Sequence, residues 1–307
     1  MYFIDPRPIL ESHLLAAPPE DPTPAWTAGT YVIGDERHVV ATHRVYKRTT
    51  DGASSTSPEL DAANWYDDRP TNRWAPFDIY TKLTKAVRTD ADLVYEIASR
   101  YCNALVLDGI EGSGVVVEVL SGPGGTVLHR SPTSGVTALL EGARGYWDYA
   151  YGQRRRLTSL LVTGLPLVAT GVIRITVSST GTQRRAIGLI NRGARRQVHG
   201  ARMGGVVAGA SATPITYTYR PKKPDGTYGP TVLRPGSKER RWQVFIERSK
   251  ADEALRTMDQ LSNTPAYVMA SLKPGFEGLR GFGLVTRGEV SYEHATATVN
   301  VNLEDII

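Results

Sequence analysis

Cysteine is almost missing from this chain: there is one, Cys102, in 307 residues. A single thiol cannot close an intrachain bridge or build a thiolate metal site, which excludes a disulfide-stapled secreted scaffold. Long apolar runs are missing too. The longest, Leu157 to Ile173, is broken by Thr158, Gly164, Pro166 and Gly171 and runs into Arg174, short of the ~20 mostly apolar residues that a membrane helix needs. The first residues have no basic n-region, Pro6 and Pro8 interrupt them, and Leu14-Leu15-Ala16-Ala17 is too short for the core of an export signal. The expectation is a soluble chain, with no membrane insertion, assembled in a reducing compartment.

Catalytic signatures are also lacking. No glycine-rich phosphate loop ends in Lys-Ser/Thr, and no Gly-x-Ser-x-Gly elbow occurs. Gly200-Ala201-Arg202-Met203-Gly204-Gly205 is glycine-rich, but no strand pattern precedes it and no helix pattern follows. The six histidines, at positions 13, 38, 43, 129, 199 and 294, never form H-E-x-x-H. His38 and His43, five apart across a strand turn, read as surface residues, since zinc needs three or four ligands. Asp67 and Asp68 are neighbours on extended chain and point to opposite faces, so they cannot jointly flank one glycosidic bond. Asp108 with Glu111, or Asp148 with a distant partner, stays open as a carboxylate pair, although acids in loops are usually just solvated. Cys102, between Tyr101 and Asn103, reads as a small packed group rather than a nucleophile. The expectation is a chain that is not an enzyme, with no catalytic residue, no metal and no cofactor.

What is present points to β structure. Hydrophobic residues make up 41% and charged residues 22%, ordinary for globular chains, while 30 glycines and 19 prolines favour many turns and short strands. Lys and Arg exceed Asp and Glu by 36 to 31, a formal charge of +5. The excess gathers at Arg154-Arg155-Arg156 and at Arg184, Arg185, Arg192, Arg195, Arg196 and Arg202. The second cluster holds only His199 as an aromatic, so no base-stacking platform is visible. A solvated face or a basic subunit interface accounts for it better than a nucleic-acid partner does.

Four segments follow from the patterning, in a mainly β fold. Residues 1–24, ending Pro18-Pro19-Glu20-Asp21-Pro22-Thr23-Pro24, read as an extended arm outside the core, laid on a neighbour or frayed. Residues 25–70 form a small β module with strands near Arg37–Ala41 and His43–Lys47. Residues 71–183 form a jelly-roll-like β-sandwich. Val115, Val117 and Val119 alternate with Val116, Glu118 and Leu120 in a strand covered on both faces; Ile173, Ile175 and Val177 mark a half-buried one. Gly122-Pro123-Gly124-Gly125 is a hairpin loop. Residues 184–307 form an α+β unit with one helix. Its strands are Ile215/Tyr217/Tyr219, Trp242/Val244/Ile246 and Ala295/Ala297/Val299/Val301/Leu303. Its helix starts at a Ser249 cap with Asp252 three residues on, buries Ala254, Leu255, Met258 and Leu261, and stops before Pro265.

Two stretches carry resemblances. Ala25-Trp26, Tyr31 with Gly34-Asp35, Val45-Tyr46 and a closing Trp65 resemble the small chitin-type carbohydrate-binding modules. That resemblance implies glycan stacking on Tyr31, Tyr46 or Trp65. No aromatic follows between Lys47 and Leu60, which makes Tyr46 the best exposed candidate and leaves Trp26, Tyr31 and Trp65 able to serve as core. The second stretch, Thr71-Asn72-Arg73-Trp74-Ala75-Pro76-Phe77-Asp78, looks like a signature of tailed-phage and prophage virion proteins, where it follows a carbohydrate-module-like unit and opens a β-sandwich. Tyr146-Trp147-Asp148-Tyr149 and Ile187 to Gly193 are weaker echoes of the same family. This resemblance implies that Trp74 and Phe77 anchor the first sandwich strand and that Asn72 and Arg73 fix the junction with the small module.

The function these resemblances imply is a structural component of a phage tail tip or baseplate. It would be assembled in the host cytoplasm as a homo-oligomeric ring, among other tail proteins of the virion, with host surface glycan as a further partner. The alternative is a host-adsorption protein whose main task is glycan recognition.

Overall fold

The computed structural model describes residues 1–80, 82–143, 145–152, 156–198 and 204–306. It is mainly β, with several antiparallel sheets, one of them a curled half-barrel, and one long helical element. By contacts the chain divides into two compact units. One comprises Met1–Pro8, Cys102–Leu105 and Asn191–Ile307; the other comprises Ile9–Tyr101 and Val106–Ile190.

In the first unit the curled sheet is antiparallel. Tyr2–Pro6 lies between 193–197 and Ala266–Met269. Arg280–Tyr292, Thr296–Asp305 and Ser237–Glu247 follow, and Gly204–Val206 and Ser211–Ile215 both pair with the far edge of Ser237–Glu247. Strict alternation sets the inner face. Trp242, Val244 and Ile246 from one strand and Ala297, Val299, Val301 and Leu303 from its neighbour turn inwards, with mostly polar residues and Phe245 opposite. The helix Ala251–Asn263 covers that face with Ala251, Ala254, Met258 and Leu261. Gly288 allows the close approach: a Cβ there would stand 2.8 Å from Met258 Cβ.

Two expectations for this unit need correction. Ser249 does not cap the helix. It sits inside a 3₁₀ turn, Arg248–Lys250, and Lys250 is the boundary residue, without a side-chain cap. Asp252 and Glu253 in the first turn supply the favourable charge instead. The strand expected at Ile215, Tyr217 and Tyr219 ends at Ile215. Beyond it, Tyr219 exchanges backbone bonds with Val232 and Lys222 bridges to Tyr228, an irregular exposed hairpin. Pro221, Pro224, Pro230 and Pro235 remove the donors that a regular ladder would need.

In the second unit, Glu36–Val39, Arg44–Arg48 and Trp65–Pro70 form a three-stranded antiparallel sheet, and Gly29–Tyr31 pairs with Gly52–Ser54. A larger sheet runs in the order Val127–Ser131, Gly114–Leu120, Val172–Ser178, Leu93–Ala98, Leu14–Ala16, with Thr137–Ala138 also on Gly114–Leu120. Gly114–Leu120 is almost wholly buried, and Val172–Ser178 alternates as its sequence indicates. The hairpin at Gly122–Gly125 joins Gly114–Leu120 to Val127–Ser131.

The proline-rich start is not an arm outside the core. Tyr2–Pro6 and Leu14–Ala16 are paired strands, and Met1, Phe3, Ile4 and Leu14 are buried. Prolines dominate only the stretch after these strands, so composition averaged over 24 residues conceals two short apolar runs.

Gly193 pairs with Pro6, and a Cβ there would stand 1.9 Å from the Asp5 carbonyl oxygen. Gly193→Ala is therefore expected to push the Tyr2–Pro6 strand from its partner and to cost about 1–3 kcal/mol, the range for overpacking. Chemical denaturation of the full chain checks this through its midpoint.

Candidate functional site

The small module has few aliphatic side chains, and its rings make the core. Tyr31, Val39, Tyr46 and Trp65 form one cluster, with Trp26 packed against it. Tyr31 meets Trp65 edge to face at 5.1 Å. Both rings carry guanidinium groups: Arg37 lies 5.0 Å from the Tyr31 centroid and Arg48 lies 5.1 Å from that of Trp65. The polar ends are also engaged. Trp65 Nε1 donates to Ser54 Oγ at 3.2 Å, Tyr31 Oη donates to the Thr27 carbonyl, and Tyr46 Oη donates to Thr42 Oγ1 at 3.4 Å.

This overturns the exposure expected of Tyr46. Tyr31, Tyr46 and Trp65 are only 5%, 6% and 2% exposed, so none offers a ring face to a sugar. Arg48, buried under Trp65, is a member of this core that sequence reasoning missed. Its signal was positional: it ends a strand, Arg44–Arg48, whose neighbours Val45 and Tyr46 already face inwards.

The Thr71–Asp78 string is a clasp, not the start of a strand. Its backbone is a turn followed by a 3₁₀ helix, Ala75–Phe77. Thr71 N–H donates to the His43 carbonyl at 2.9 Å. The His43 ring stacks on Trp74 with centroids 4.1 Å apart. On the other side, Phe77 meets Trp74 at 5.5 Å and Tyr95 at 5.7 Å, and Tyr95 Oη donates to the Arg73 carbonyl at 3.0 Å. The Asn72 amide holds the backbone of Val87 twice, accepting from its N–H at 2.7 Å and donating to its carbonyl at 3.1 Å. Asn72 therefore grips the strand Ala86–Arg88 rather than the small module, while Trp74 reaches the module through His43. His38 and His43 are half-buried and structurally engaged, not free surface residues: His38 Nδ1 lies 2.6 Å from the Thr23 carbonyl.

Asp78 closes the string. Its carboxylate accepts from Tyr80 N–H at 2.8 Å and from Thr84 Oγ1 at 2.5 Å. Burial nevertheless dominates and pushes its pKa up to about 6. Beside it lies a polar cleft of about 510 Å³ whose lining includes Asp21, Asp68, Arg69, Lys85, Glu111 and Arg184. Ion pairs run through this cleft: Arg69 pairs with Asp21 at 2.6 Å, Lys85 with Glu111 at 2.7 Å, and Arg184 with Glu111 at 3.0 Å. Burial alone would raise the Asp21 carboxyl, but bonds from Arg69 and Thr23 outweigh it and hold the group low. Such a cleft ties segments together through its ion pairs.

The arginine-rich stretch is not one solvated face. Arg185 is buried and donates to the carbonyls of Thr89, Gln183, Ser179 and Gly181 at 2.7–3.0 Å. Arg192 is buried too. In the other unit Arg195 lies over the Tyr2 ring at 5.8 Å and Arg196 pairs with Asp5 at 3.2 Å. Arg154, Arg155, His199, Arg202 and most of the Gly200–Gly205 stretch lie outside the described residues.

Exposed rings occur elsewhere. The short helix Tyr146–Tyr151 presents Tyr146, Trp147, Tyr149 and Tyr151 at 75%, 72%, 69% and 80% exposure. Trp147 and Tyr151, one turn apart, lie nearly parallel, 22° between planes and 5.8 Å between centroids. The tetrapeptide Tyr146–Tyr149 was noted in the sequence only as an echo of a family pattern.

Comparison with protein-family models, with curated proteins and with solved structures finds no match for this chain.

Two predictions follow from the clasp. Asn72→Ala leaves the Val87 N–H and carbonyl without their side-chain partner, so a loss of about 1–3 kcal/mol in denaturant-derived stability is expected. Asp78 binds its proton more tightly folded than unfolded, so its contribution is full below the ordinary value of 3.8 and is lost as the pH rises towards about 6. Asp78→Asn, neutral throughout, is expected to melt higher than the wild type above pH 6 and to lose the pH dependence between about 4 and 6. Thermal melts across pH 4–8 check both the sign and the window.

Proposed function

We propose that the chain is a structural component of a bacteriophage tail tip or baseplate, in which identical copies assemble as a ring beside other tail proteins. The observation that carries the reading is the Thr71–Asp78 string, whose order of residue types resembles a virion-protein signature. The geometry gives that order a physical reason. Trp74 and Phe77 link the small β module to the larger sheet through His43 and Tyr95, while Asn72 holds the strand Ala86–Arg88 and Asp78 fixes the loop that follows. In this reading residues 71–183 are a jelly-roll-like sandwich and residues 184–307 a tail-protein-like α+β domain.

The surfaces support assembly. Each unit leaves an apolar element uncovered: the aromatic helix Tyr146–Tyr151 in one, and the irregular hairpin bearing Tyr219, Tyr228 and Leu233 in the other. Contiguous exposed apolar patches of this kind mark contact sites with other molecules. Glycan recognition by the small module, the competing reading, loses its support because Tyr31, Tyr46 and Trp65 are core.

Particles produced by cells that carry this gene provide the test. Mass spectrometry and electron microscopy of purified particles are expected to find the chain in the tail, in a fixed copy number. Its absence from intact tails overturns the proposal.

A further inference from the structure

We infer that the helix Tyr146–Tyr151 is the docking element by which one copy of this chain grips the next. This inference rests on the proposed ring of identical copies and names the surface that builds it.

The local structure sets the problem. The loop that carries the helix is pinned at its neck, where Leu140 bridges Arg156 and Leu157 N–H donates to the Leu139 carbonyl at 2.9 Å. Leu139 is buried there, at the root of the loop. Past the neck, none of the described residues of the loop is buried. Within the helix only Asp148 is even half-buried. Six residues fall far below the ~12–15 at which an isolated helix becomes even marginal in water, so this helix needs packing to persist. Its own unit does not bury its rings.

The chemistry points to protein. Tyr and Trp are among the side chains that most often anchor protein interfaces, and Tyr146–Tyr151 contains three Tyr and one Trp in six residues. Size agrees. At the exposures found, the four rings offer roughly 600 Å². That approaches the ~800 Å² that each partner gives to an interface of standard size. Leu140 and Leu157 at the neck, and Val136 before it in the chain, are exposed as well.

A second copy is the occupant that the stoichiometry favours. Every copy exposes one such helix, and every copy must have it covered. A head-to-tail ring of identical chains covers each helix with a neighbour and leaves none over.

Native mass spectrometry and light scattering of the full chain over a range of concentrations test this, with the double variant Trp147→Ala/Tyr151→Ala beside it. Both rings are solvent-exposed within a single chain, so the variant is expected to fold and to keep the β-sheet circular dichroism of the wild type. The wild type is expected to form a closed oligomer. The variant is expected to dissociate, with association weakened about 1,000-fold if each ring is an anchor. Tyr66→Ala, an exposed ring on the small module, is expected to leave assembly unchanged. An oligomer unaffected by the double substitution overturns this inference and leaves the ring reading standing. A wild-type chain that stays monomeric at all concentrations overturns both. Loss of co-sedimentation with host envelope fragments in the double variant, with the oligomer intact, overturns it in favour of a glycan surface.

Discussion

A β unit of about forty residues encloses too little volume to build a core from aliphatic side chains, and that shortage shapes the N-terminal part of this chain. Its Trp and Tyr rings turn inwards, and two guanidinium groups are laid over them to complete the packing. A ring that fills the core cannot also stack on a sugar. The module's resemblance to carbohydrate-binding modules therefore extends to pattern, while the faces that would bind glycan are absorbed by the fold.

The same shortage makes the clasp important. A module with so small a core gains stability from what it is fastened to. Trp74 provides the fastening through His43, whose left-handed backbone, φ 56°, turns the hairpin so that its ring and its carbonyl both meet the Thr71–Asp78 segment. The segment then passes the connection onward through Phe77 and Tyr95 and through the paired Asn72 bonds. Asp78 pays part of the cost, since its carboxylate is held where burial disfavours the charge.

How much of this was legible depends on the kind of signal. Alternation survives folding because a strand has period two wherever it lies, so Val115–Leu120, Trp242–Ile246 and Ala297–Leu303 read correctly from the string of residues. Short apolar runs beside prolines did not. Tyr2–Pro6 and Leu14–Ala16 become strands only because partners distant in sequence supply the ladder. The helix body was legible and its cap was not, because the 3₁₀ turn before Ala251 depends on how the preceding strand ends. For the candidate site, the string at 71–78 stood out by its unusual order, but each residue's contact lies at a distant position: Val87 for Asn72, His43 for Trp74, Thr84 for Asp78.

The rings at 146–151 mark the limit of that reading in an instructive way. By composition they look like core, as the rings of the small module do. What separates the two sets is neighbourhood, since Tyr31 and Trp65 have strands on either side to close over them, whereas Trp147 and Tyr151 sit beyond a loop neck and stay exposed. Exposed aromatic surface costs free energy in proportion to its area. In the proposed ring, a neighbouring copy that covers these rings recovers that free energy on assembly.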